Sequence, residues 1–169
     1  MRLMIEKIPD LQSLYVKQLR LLLSAEEMIA IKAPIMAEAA EDVELNQALR
    51  HHVQETGVHA ARLREILHHG IGETGPLKCK VVYSLFDEVE ELVHDAAHVP
   101  VRDAALIAEA QRIEHYQIAA YQALVQFART LGHYDDAQLL EQTFHEEESA
   151  NQELARIGER VYPSARRPV

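Results

Sequence analysis

The chain has 169 residues, enough for one domain with a substantial core, and carries 17 Lys and Arg against 27 Asp and Glu, a net charge of −10. Phosphate backbones are bound by neutralising cations, so a chain this acidic is a poor nucleic-acid partner, and Arg166-Arg167 is too small a basic cluster to change that. One cysteine, Cys79, excludes an intrachain disulfide and suits a reducing compartment. The N-terminal stretch has no secretory hydrophobic segment, and Leu21-Leu22-Leu23 is too short to span a bilayer, so a cytoplasmic protein without membrane contact is expected.

Low Gly and Pro (6 of each), few aromatics and abundant Ala, Leu, Glu and Gln are the composition of long helices. In chain order, Pro9-Asp10 opens a helix over 10–40, which Pro34 should kink because it lacks an N–H and clashes with the preceding turn. Asp42 can cap a second helix over 42–69. Gly70-Ile71-Gly72-Glu73-Thr74-Gly75-Pro76 is the clearest loop. A shorter helix over 78–98 follows, then Pro100, then a fourth helix over 101–131 that Gly132 closes. The last helix covers 134–161. Residues 1–9 and 162–169 are read as tails flanking a single bundle domain over 10–161. Two helical hairpins joined by one long connection describe an all-α, ferritin-like four-helix bundle with one additional helix in the crossover.

Each long helix carries an apolar stripe at 3- and 4-residue spacing, and each stripe is interrupted by acid near its middle. The interruptions are Glu26, Glu55, Glu114 and Glu147, while the helix midpoints fall at about 25, 55, 116 and 147. In a bundle of similar antiparallel helices the midpoints share one layer, so four carboxylates converge in the core. Any one of them alone would ordinarily be a solvated side chain; the coincidence on four stripes is what points inward. Buried, unpaired carboxylates cost several kcal/mol and raise one another's pKa. Lys32, Arg62 and Arg112 sit off-centre, whereas two divalent cations would balance four charges. His59, one turn after Glu55, leans back toward it and can supply nitrogen, and carboxylate with imidazole suits iron or manganese. His52 is expected to point away, toward its helix N-terminus, and Tyr15 and Tyr121 are expected to pack.

The segments Val101-Arg102-Asp103-Ala104-Ala105-Leu106-Ile107-Ala108 and Glu114-His115-Tyr116-Gln117-Ile118-Ala119 are the most specific features of the chain. Ser24-Ala25-Glu26, Pro34-Ile35-Met36-Ala37-Glu38-Ala39-Ala40, His52-Val53-Gln54-Glu55-Thr56, Leu77-Lys78-Cys79-Lys80 and Glu146-Glu147-Glu148 accompany them. With these, residues 10–157 resemble the YciE/YciF family, a ferritin-like group of bacterial proteins linked to stress responses. The resemblance implies a cytoplasmic homodimer and a di-metal centre. There are two departures. Related carboxylate sites repeat Glu-x-x-His on two helices, whereas Val58 and Ala150 stand three residues after Glu55 and Glu147, with His59 and Asn151 at the fourth positions. Gln117 also stands where a glutamate is expected.

Two functions follow. In one, the chain holds two divalent ions, iron first and manganese second, with Glu55 and Glu147 as bridges, Glu26 and Glu114 as terminal ligands and His59 on one metal, and reacts with oxygen or peroxide. In the other, it is a non-enzymatic helical dimer whose polar layer sets register and whose partner is another protein. A DNA-protecting mini-ferritin is disfavoured by the charge of −10.

Overall fold

A computed structural model describes residues 7–71 and 75–166, without the side chains of 70 and 71. The outer parts of both expected tails and the middle of the glycine-rich loop lie outside the described residues. Five helices follow in order: α1 Leu11–Ala39, α2 Val43–Ile71, α3 Lys80–Asp95, α4 Val99–Leu131 and α5 Tyr134–Ser164. No strand occurs among the described residues. None of their helices is long and apolar enough to cross a membrane.

Local chemistry sets the boundaries. The Asp10 carboxylate accepts from the Ser13 N–H (2.7 Å) at the start of α1, and the Asp42 carboxylate accepts from the Leu45 N–H (3.1 Å) at the start of α2. Pro100 lies in the first turn of α4, where its missing N–H has no helical partner to lose, so that helix starts at Val99 and not after the proline. Gly132 ends α4 with φ 81°, a left-handed conformation that glycine adopts without strain. Pro34 lies inside α1, which continues unbroken through it. Pro163 lies inside α5, which extends to Ser164.

Hydrogen bonds at the two ends give the helix directions. At one end Tyr15 Oη donates to Asp136 (3.1 Å) and His133 pairs with Gln12 (2.9 Å), placing the start of α1 beside the start of α5. At the other, Asp103 in the first turns of α4 accepts the N–H groups of Glu41 and Asp42 (both 3.0 Å), and Arg160 near the end of α5 grips Asp42 with both terminal nitrogens (2.6 and 2.7 Å). So α1 and α5 run one way and α2 and α4 the other. Since α2 and α4 are parallel, their connection must travel the length of the bundle. It does so along α1: Arg20 Nε donates to the Gly75 carbonyl (2.7 Å), the Leu77 N–H to the Arg20 carbonyl (3.0 Å), and the Cys79 N–H to Ser24 Oγ (3.1 Å). The connection then forms α3, which lays Val82, Phe86 and Val89 against α1 and α4.

The core has two apolar ends. Tyr15, Leu19, Leu22, Leu63, Leu67, Leu124 and Leu140 fill one, and Met36, Leu45, Leu49, Leu106, Ile107, Leu154 and Ile157 fill the other. Each large aliphatic side chain so buried contributes about 1.5–3 kcal/mol. The polar residues of the stripes lie between them. Asp103 fastens α4 to the α1–α2 turn through two N–H groups, and removing its carboxylate leaves both without that acceptor. Asp103→Ala is therefore expected to cost about 2–4 kcal/mol, seen as a lower urea midpoint at unchanged slope. A loss below about 0.5 kcal/mol would show that water satisfies those groups equally well.

Candidate metal centre

Between the apolar ends, α1 contributes Glu26, α2 contributes His52, Thr56 and His59, α4 contributes Glu114, Gln117 and Tyr121, and α5 contributes Glu147, all of them buried. On α2 the buried stripe runs Leu45, Leu49, His52, Thr56, His59, Leu63, alternating steps of four and three residues. Both histidines consequently face the core. Glu55 lies about 80° around the helix from the middle of that line, beyond its edge.

Glu26 accepts from Tyr121 Oη (2.7 Å) and has Gln117 Nε2 3.1 Å from each of its oxygens. The same amide nitrogen lies 2.7 Å from Glu147 Oε1. His59 Nδ1 is 3.1 Å from Glu147 Oε1, and its Nε2 is 3.0 Å from Glu146 Oε2. Arg62 in turn holds Glu146 with both terminal nitrogens and donates to Thr143 Oγ1 (2.9 Å), so its charge is used at the edge of the bundle. His52 Nδ1 is 3.4 Å from Glu114 Oε1 and 3.8 Å from Glu147 Oε2.

Two donor sets result, Glu26–His59–Glu147 and His52–Glu114–Glu147, each with its ligand atoms within 4.8 Å of one another and sharing Glu147. Among the described residues, eight buried side-chain polar atoms lack a well-formed hydrogen bond, and six belong here: His52 Nδ1 and Nε2, Glu114 Oε2, Gln117 Oε1, Glu147 Oε2, and His59 Nδ1, which has Glu147 as an ion-pair neighbour without hydrogen-bond geometry. Buried polar atoms are nearly always satisfied, and an unsatisfied one costs about 1–3 kcal/mol. Six converging from three helices on one layer, with imidazole and carboxylate as the donors, fit divalent transition-metal ions.

The electrostatics agree. Burial, then the Glu147 carboxylate, pushes Glu26 up to about 8. Burial and the charges of Glu147, Glu26 and Glu55 hold Glu114 well above the usual carboxylate range. Burial pushes His52 down. Burial also opposes charge on His59, but Glu147, Glu26 and Glu146 outweigh it and raise that imidazole to about 9. Burial, with Glu26 alongside, keeps Tyr121 protonated and hence a donor.

Of the five residues singled out in the sequence, Glu26, His59, Glu114 and Glu147 are brought together. Glu55, expected as a bridge, belongs to neither donor set; its side chain is 28% exposed and lies 3.2 Å from His51 Nδ1. His52, expected to point away, instead joins Glu114 and Glu147, because the stripe on α2 centres on the histidines. Tyr121, expected only to pack, donates to Glu26, while Tyr15 donates to Asp136. Asn151 accepts from Gln111 (3.3 Å), His115 is exposed, and Cys79 is buried against Tyr116 Oη (3.1 Å). The i, i+4, i+7 spacing of His52, Thr56 and His59 was the available signal for His52.

Comparison with known proteins gives a consistent set. A family described as a domain of unknown function, DUF892, matches residues 10–165. Protein YciF of Escherichia coli (strain K12) is 33% identical over 132 residues, 78% of this chain and 80% of that protein. The crystal structure of the E. coli stress protein YciF aligns with a TM-score of 0.88 at 29% identity, covering 92% of this chain and 98% of that one. YcfI of Rhodopseudomonas palustris aligns with a TM-score of 0.87 at 32% identity, covering 90% and 98%. A protein of Xanthomonas campestris pv. campestris, 22% identical with a TM-score of 0.76 and covering 92% and 95%, shares the fold.

The protonation pattern has a consequence for metal-free protein. Glu26, raised from 4.5 to about 8, and His59, raised from 6.5 to about 9, each contribute stability that is complete below the ordinary value and lost as pH rises through the folded one. His52 has the opposite sign, but acts only below its ordinary value of 6.5. In chelator, the unfolding temperature should therefore fall between about pH 7 and pH 9, and Glu26→Gln should flatten the lower half of that decline. A midpoint that stays level or rises would contradict these assignments.

Proposed function

The chain belongs to the DUF892 family, and on that premise we propose that it is a metal-binding carboxylate protein of the bacterial stress response that reacts with dioxygen or peroxide. The observation that carries this reading is the convergence of six unsatisfied buried polar atoms on one layer of the bundle. Kinship with YciF, a stress protein, supplies the physiological setting.

In this reading two divalent ions are held, iron first and manganese second. Glu26 and His59 would hold one and His52 and Glu114 the other, with Glu147 available to both. Bound iron or manganese would supply one-electron redox chemistry that no protein side chain in the layer offers. The chain's own groups do the rest. Glu146, backed by Arg62, engages His59 Nε2 and so aims Nδ1 inward. Tyr121 orients Glu26 and is a proton donor beside it. Gln117, neutral where a fourth acid is expected, ties Glu26 to Glu147 and lowers the negative charge of the layer. The apolar ends of the core exclude water. Turnover would be of the oxidase or peroxidase kind.

The resemblance to YciE/YciF proteins also favours a homodimer, and Ile31 (70% exposed) and Val58 (50% exposed) leave apolar surface on α1 and α2 for one. A second reading, a metal-free structural or protein-interaction module, is favoured by YcfI, which is described as a candidate structural protein.

The test is anaerobic titration of metal-free protein with Fe(II) and Mn(II), followed by metal analysis. About two ions per chain are expected, with Glu147→Ala losing both because it serves both donor sets. Fe(II) at about 100 times its Kd should stabilise the wild type by about 2.7 kcal/mol, and chelator should reverse this. A folded wild type that takes up neither metal would sink the proposal in favour of the structural module.

A further inference from the structure

We propose that a pocket between α2 and α5 is the route by which divalent cations reach the buried layer, with Glu55 as the residue that takes them from solvent. The inference rests on the metal reading above. The pocket has a volume of about 50 Å³, room for a few waters, so a cation can pass while keeping part of its hydration shell. His51, Glu55 and Glu153 stand at its mouth, and His52 and Glu114 line its inner end.

Three observations make this a route and not a packing flaw. The inner end is formed by groups that lack partners: both ring nitrogens of His52 and Oε2 of Glu114 are buried and without a hydrogen bond. The walls are kept open by small side chains, Ala48 on α2 and Ser149 and Ala150 on α5. The mouth continues outward into a shallow cleft that shares Ala48, His51 and Glu153. Across the bundle the layer is closed, because Tyr121 and Gln117 bond to Glu26 and α3 covers α1 and α4.

Glu55 has the properties of a transit ligand. It belongs to neither buried donor set, it is partly exposed, and it lies 3.2 Å from a single imidazole, that of His51. A carboxylate with one imidazole offers a cation two ligands, enough to displace some water and too few to retain it. Its negative charge, with that of Glu153, also concentrates cations at a narrow opening walled by protein. Glu146, which lines the same pocket, is occupied by Arg62 and His59, leaving Glu55 and Glu153 as the acids beside the opening, of which Glu55 is the one paired with an imidazole.

The experiment follows Co(II) uptake by the metal-free full-length chain in a stopped-flow spectrometer, reading the visible ligand-field bands. Wild type, Glu55→Gln and Ala150→Leu are compared, with helical content checked by circular dichroism. The first variant removes the charge at the mouth and the second fills the passage. Both are expected to slow uptake by about tenfold while final intensity and stoichiometry match the wild type. Uptake at the wild-type rate in either variant would overturn the route. Lower final stoichiometry in Glu55→Gln would make Glu55 a resident ligand and overturn its transit role. No Co(II) spectrum in the wild type would overturn the metal reading, and this route with it.

Discussion

Three carboxylates, Glu26, Glu114 and Glu147, share the central buried layer of this bundle with no lysine or arginine among them, and most other features of the molecule relate to that fact. Ionised and dry, they would oppose folding by several kcal/mol. The chain meets the problem with two hydrogen-bond donors, Tyr121 and Gln117, with surroundings that favour protons on Glu26 and Glu114, and with surroundings that favour charge on His59. Those protons are what cations would displace, since carboxylates and imidazoles ligate in their deprotonated forms. Protons and cations therefore compete for the same lone pairs, and a bound cation would stabilise the fold that the protons otherwise permit.

The layer has two unlike halves. Toward α1 and α4 it is closed: Glu26 is bonded by both of its donors, and α3 is laid over the outside. Toward α2 and α5 it is open: His52 has no hydrogen-bond partner, and small residues leave a gap that leads outward. This asymmetry follows from topology. A crossover between parallel helices must traverse one side of the bundle, so it shields that side and leaves the other bare. The fold thus decides which face of the centre solvent can approach before any side chain does.

How much of this was readable beforehand depends on the kind of signal. Helix order, the crossover helix and the Asp42 cap rest on local chemistry, and they stand in the structure where the residues placed them. Glu26, Glu114 and Glu147 were legible because a bundle layer is a question of height, and each lies within two residues of its helix midpoint. On α2, height was not enough. Glu55 and His52 lie less than one turn apart in height and about 60° apart around the helix, and only the rotation of the stripe separates them. That rotation shows only when the stripe is followed from Leu45 to Leu63, where the spacing of His52, Thr56 and His59 carries it past Glu55. Tyr121 was missed for a related reason: an apolar stripe reports that a ring is buried, not whether its hydroxyl meets an acid. Gln117 showed in the sequence only as a missing charge, and its bonds to two carboxylates emerged with the fold.

Asp103 ties α4 to the α1–α2 turn at one end of the bundle, and Glu114 stands eleven residues further along the same helix. Eleven residues make just over three whole turns, so clamp and ligand lie within about 20° of one another around the axis. This stretch acts as an arm of fixed length. An insertion or deletion of one residue within it would swing the carboxylate by about 100°, out of the layer, and shift it by about 1.5 Å. A whole turn more or less would restore the direction and yet shift the carboxylate by about 5.4 Å along the axis, out of the layer. The first part of α4 is thus held to a spacing more strictly than to a composition.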